Sequence, residues 1–213
     1  MGEKNRKKQL QRSGKEVRVP VEKKTFFDHR KCDVDHMHRF TAYLIDWFVG
    51  GLCMNLPILL LWLFNTKDID SATNMSLLKF SDKLGMNMAL VAAGLGILAS
   101  LFYFVYVPWK ITPGQTLGKK IMHFKVVRTN GDEVGLGRWI VREVVGIMIL
   151  EGVVYHVSGL WKEALDLITG LNFSGILMWE GIIVTVASGL ISMFFRSHRM
   201  IHDYLADTKV EMC

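Results

Sequence analysis

Four apolar stretches, near residues 40–64, 86–109, 139–157 and 173–195, follow an almost wholly polar start of 38 residues. Each approaches the roughly 20 residues that an α-helix needs to cross a bilayer core of about 30 Å. Half of the residues are hydrophobic, which would also suit a soluble core. It is the segregation of apolar from polar residues that points to the membrane. The pattern predicts an all-α membrane protein: a four-transmembrane-helix bundle over residues 39–213 behind a basic, disordered cytoplasmic tail over 1–38.

Charge sets the expected orientation. Up to Arg39 the chain has twelve Lys/Arg against six Asp/Glu, the 65–85 loop three Lys/Arg, residues 110–142 seven, the 158–172 loop one, and the C-terminal segment three. Lys and Arg accumulate on the cytoplasmic side of membrane proteins, so both termini and the 110–142 segment are expected there. The tail has no 7–15-residue apolar core of a cleavable signal and is expected to stay on the protein. Its composition cannot build a packed core, and it is expected to attract anionic lipid rather than nucleic acid.

The first span carries an anomaly. In "RFTAYLIDWFVGGL" the carboxylate of Asp46 falls about 10 Å, at 1.5 Å per residue, beyond Arg39. Arg39, Ala42, Asp46, Gly50, Cys53 and Pro57 share one helical face, which is expected to look inward, with leucines and aromatics toward lipid. Ala92, Gly96 and Ser100 in the second span, and Gly181, Thr185 and Gly189 in the fourth, form small-residue seams that let helices approach closely. Between the second and third spans, alternation at Met122, Phe124 and Val126 ahead of Asn130-Gly131 predicts a small cytoplasmic β-hairpin, with strands near 121–128 and 133–136. The loop "SGLWKEALDLITGL" predicts a short interfacial helix.

Three segments, "RFTAYLIDWFV", "TPGQTLGKKIMHFKVVRTNGDEVGLGRWIVRE" and "HRMIHDYLADTKV", resemble the RDD family of bacterial membrane proteins over most of residues 38–210. The arginine and two aspartates that name the family fall on Arg39, Asp46 and Asp203. The resemblance implies a bacterial plasma-membrane protein, for which transport has been proposed, and it favours a C-terminal segment that folds back to bring Asp203 to the inner rim.

Two groups of charge follow from depth. Arg39, Asp46, Asp203, Arg142 and Glu143 form an expected inner cluster, either an ion-pair lock between helices or a site for a proton, cation or ligand. Glu151 and Glu180 come out at one level of the bilayer and either share a proton or pair separately, for instance with Lys162 or His156. "DHRKCDVDHMH" has metal-ligand residue types without zinc spacing, and "GQTLGKK" lacks the spacing of a phosphate-binding loop. Three cysteines with no CxxC suggest no disulfide framework or zinc site. No hydrolase motif is present, so the expectation is a protein without catalytic residues, metal or cofactor. Two functions remain: a small transporter or cation/proton exchanger, or a non-catalytic membrane adaptor or assembly factor whose buried charges are structural. Four spans without an internal repeat are few for a carrier, which suggests a homo-oligomer; other membrane proteins are possible partners.

Overall fold

The computed structural model describes residues 34–68 and 76–213. The basic tail up to residue 33, including Asp28, His29, Cys32 and Asp33, lies outside the described residues. In chain order the elements are α1 (His36–Thr66), α2 (Leu77–Leu84), α3 (Met86–Leu101), α4 (Leu117–Ile121), β1 (Phe124–Arg128), α5 (Leu136–Trp139), α6 (His156–Thr169), α7 (Phe173–Phe194), α8 (Ile201–Leu205) and β2 (Thr208–Met212). Two of these helices continue as π-helix, α3 through Phe102–Ile111 and α5 through Ile140–Leu150.

Among the described residues, three helices are long and apolar enough to cross a membrane: His36–Thr66, Met86–Ile111 and Phe173–Phe194. Their outward faces carry large exposed apolar side chains such as Phe64, Leu98, Ile176 and Phe194, a distribution suited to lipid rather than water. The first begins at His36, where Asp35 caps the helix by accepting from the His36 amide. The small-residue seam of α3 is buried: a side chain at Gly96 would collide with Leu160 of α6 and Ile58 of α1.

The third apolar stretch is not one helix. It ends at Leu150, where the Glu151 amide closes the last i→i+5 turn on Gly146 O, and helix resumes only at His156. Backbone outside regular structure needs other partners when it is buried, and side chains supply them. Thr185 Oγ1 donates to Glu151 O at 2.5 Å, Lys162 Nζ to Gly152 O at 2.7 Å and the Tyr43 hydroxyl to Val154 O at 2.7 Å. The segment expected as an interfacial helix is indeed helical, but α6 packs within the bundle. Val157, Ser158, Leu160 and Lys162 are buried, and the helix contacts α1, α2, α3 and α7.

The expected hairpin is a correction. Asn130-Gly131 does turn the chain, with Gly131 at φ 92°, a conformation that glycine enters without steric cost. Residues 133–136, however, form no strand. β1 instead pairs antiparallel with β2 at the C-terminus, Val126 opposite Val210. A strand edge is satisfied by whichever extended segment shares its hydrophobic face, and Val126 and Val210 bury theirs in one cluster with Phe124, Val134 and Trp139. This pairing folds the C-terminal segment back and seats α8 against the π-helical part of the third stretch.

A second apolar cluster, containing Met54, Trp62, Phe80, Ala92, Phe104 and Leu160, fills the other end of the molecule. The charged residues lie between the two. Along α1, Asp46 falls between Ala42 and Met54; along the third stretch, Arg142 and Glu143 fall between Trp139 and Ile147.

Candidate functional site

Asp46 is buried and accepts four hydrogen bonds. Oδ1 receives the Tyr103 hydroxyl at 2.7 Å and the Gly118 amide at 2.8 Å, while Oδ2 receives Thr116 Oγ1 and Lys119 Nζ, the latter at 3.5 Å. Three donors come from the start of α4, so this carboxylate clasps the "GQTLGKK" segment to α1. Gly118 permits it: a side chain there would strike the Ala42 carbonyl and the Asp46 carboxylate itself. Arg39, the expected partner, instead donates to the carbonyl of His198.

Arg142 organises a second group. Its Nε donates to Asp203 Oδ1 at 3.1 Å, Nη1 to Glu143 Oε1, and Nη2 contacts His202 Nε2 at 3.1 Å. Asp203 also accepts from Thr208 Oγ1 at 3.1 Å and, through Oδ2, from the Met200 amide at 3.3 Å at the start of α8. Burial alone would raise the pKa of Asp203. Arg142 above all, with His202 and Arg39, outweighs this and holds the carboxyl well below its ordinary 3.8. Arg199 completes the seat of α8, donating to the carbonyls of Thr208 at 2.8 Å and Asp203 at 2.9 Å.

Glu151 is held differently. Its Oε1 accepts from Ser188 Oγ at 2.6 Å and meets His202 Nδ1 at 2.9 Å. His202 Nδ1 donates to Glu151, and Nε2 lies between Arg142 Nη2 at 3.1 Å and Asp203 Oδ2 at 3.7 Å. Asp46, Glu143 and Asp203 each pair with a permanent cation; Glu151 pairs with the ring of His202. Its Oε2 has no hydrogen bond among the described residues, as is also true of the buried Oε2 of Glu143.

Glu180 does not join it. Half-buried on α7, it acts electrostatically on Lys162. Glu151 sits beside Ser188, eight residues further along the same helix, which at 1.5 Å per residue is about 12 Å away. Counting depth along an unbroken third helix made the two acids coplanar; the break after Leu150 removes that relation.

Arg39, Asp46, Arg142, Glu151 and Asp203 all line one cavity of about 570 Å³, whereas Glu143 and Glu180 do not. The remaining wall is mainly apolar, including Phe40, Tyr43, Ile147, Val154 and Met193. Tyr103, Thr116, Lys119, Ser188, Arg199 and His202 complete the polar groups and escaped the sequence reading. Thr116, Lys119, Arg199 and His202 lie in segments that resembled the family; Tyr103 and Ser188 carried no such signal.

Three helices of membrane-crossing length around a buried ionic network and a cavity define a build compatible with a membrane protein. The chain belongs to the RDD family, whose family model matches residues 34–207. Neither a comparison with curated proteins nor one with solved structures found a match.

Proposed function

We propose that this RDD-family protein is a small membrane transporter or cation/proton exchanger of the bacterial plasma membrane, and that the 570 Å³ cavity is its binding site. In this reading the third stretch and α6 together make a fourth, broken crossing. Interrupted helices are how many carriers expose a site in the bilayer, since irregular backbone there is tolerated only where it is buried or lines a cavity. Both termini face the cytoplasm in this reading, which the Lys/Arg distribution supports, and the basic tail meets anionic lipid.

The observation that carries the reading is Glu151. It stands at the break, lines the cavity, and is the buried acid of the network that lacks a permanent cation. A carboxylate so placed can exchange a proton or bind a cation, which an internally neutralised ion pair cannot do without breaking. The adaptor reading is favoured by one observation, the four donors on Asp46, which make that residue a strut. It leaves Glu151 without a role.

The test is proton movement in proteoliposomes loaded with a pH indicator after a sodium or potassium gradient is imposed. The account expects gradient-driven pH change at physiological pH, absent from protein-free vesicles. Vesicles that hold correctly folded protein and show no pH change with either cation would contradict it.

A further inference from the structure

Helices α1 and α7 both wall the cavity but make no extended contact with each other. α1 packs on α3, α4 and α6, and α7 on α6 and the π-helical segment. The gap between them is flanked by Phe40 of α1, 54% exposed, and Met193 of α7, 69% exposed. Deeper in, the wall combines apolar Ile147, Val153 and Val154 with the groups of the polar network, Glu151 among them. Gly189, on the lining face of α7, has no neighbouring atom within 4 Å of the position a Cβ would take. The seam of α7 thus packs at Gly181, where a side chain would meet Val153 and Gly152, and opens at Gly189.

We propose that this cavity takes an amphiphilic ammonium: an apolar body entering sideways between α1 and α7, with its charged N–H group donating to Glu151 Oε2. The inference rests on the transport reading and names the substrate class for the same site. Three observations converge on it. The volume falls within the roughly 300–1,000 Å³ of organic-ligand sites and far exceeds a bare ion. The lining joins an apolar wall, with Phe40, Ile147, Val154 and Met193, to the charged network, so the ligand is amphiphilic. And Glu151 offers an oxygen without a hydrogen bond on a carboxylate that pairs with no Lys or Arg, which selects a cationic donor. The helix ending at Leu150 adds the negative end of its dipole at the same place. The charged groups around Glu151 leave the assignment intact. Arg142 is committed to Glu143 and Asp203, and Lys162 donates to the carbonyls of Gly152 and Leu177.

The test compares 1-naphthylmethylamine with 1-naphthylmethanol, which keeps the apolar body and loses the charge. Binding is measured calorimetrically to the full chain in phosphatidylcholine nanodiscs, against empty discs. The expected result is a preference for the amine of about tenfold or more, the size of a charge-assisted hydrogen bond. Glu151→Gln should reduce that preference to about twofold or less. Gly189→Leu, which fills the mouth without touching the polar network, should weaken both ligands. Equal affinity of the native protein for amine and alcohol would overturn the proposal, as would an unchanged preference in a folded Glu151→Gln protein. If that variant does not fold, Gly189→Leu decides alone, and undiminished amine binding in it overturns the proposal. Phosphatidylethanolamine added to the discs identifies the source: displacement of the amine assigns the site to a lipid headgroup, and no displacement assigns it to a free amine. Amine binding without any ion or amine flux would end the transport reading and leave the site; cation flux without amine binding would do the reverse.

Discussion

Asp46 and Glu151 are both buried carboxylates in apolar surroundings, and they are satisfied in opposite ways. Asp46 meets four donors from two segments of chain, one of them a lysine ammonium. Every lone-pair direction is occupied, so a ligand can reach it only by dismantling the clasp. Glu151 lines the cavity, spends one oxygen on Ser188 and His202 and leaves the other without a hydrogen bond. Burial by itself therefore does not mark function. What separates a strut from a site is the balance of donors against acceptor capacity, and it can be read only once the partners are in place.

The largest effect is expected at Arg142. Replacing it with Met strands Glu143 and Asp203 in a buried setting, which should cost about 3–5 kcal/mol and leave little folded protein. A thermal melt in detergent would measure this, and a mild phenotype would mean that water reaches the group freely.

Asp46→Asn comes next. The amide cannot accept at both ends, and Lys119 loses its counter-charge, so a loss of about 2–3 kcal/mol is expected. Removing the stranded charge with Lys119→Met should recover part of it, whereas Arg39→Gln should not, because Arg39 donates elsewhere. Rescue by Arg39→Gln would restore the pairing that sequence spacing suggested and break the contrast drawn here.

Acid should act on the Arg142 group before it acts on neutral parts of the fold. Asp203 has its pKa depressed in the folded state, so its contribution is fully present above its unfolded value of 3.8 and is lost as pH falls below it. Asp203→Asn should be less stable at neutral pH and should flatten the melting-temperature profile below about pH 4. A profile identical to that of the native protein would separate Asp203 from the acid response. The smallest effect is expected at Glu180: exchange for Gln should change stability by less than about 0.5 kcal/mol and leave flux unaltered.

The membrane-length helices, the buried seam at Gly96 and the inward face of Asp46 were legible because each depends on one helix and its period. Pairings were not. Arg39 and Asp46 share a face of α1, yet a residue's face says nothing about which other segment fills the space opposite; Lys119 and the Gly118 amide fill it. The turn at Asn130-Gly131 is local chemistry and was readable, while the partner of β1 lies some eighty residues away and was not. The break at 151–155 carried only Gly152 as a signal. Its stability comes from Tyr43, Lys162 and Thr185, donors on three other helices.

The contrast between the two carboxylates is tested most directly by gradient-driven flux in proteoliposomes with Glu151→Gln, beside a melting curve of the same preparation. Gln keeps the shape of the side chain, an acceptor for Ser188 and contact with His202, so a melting temperature near that of the native protein is expected together with loss of flux. A folded Glu151→Gln protein that transports at the native rate would contradict the account, and Glu151 would then be one more strut.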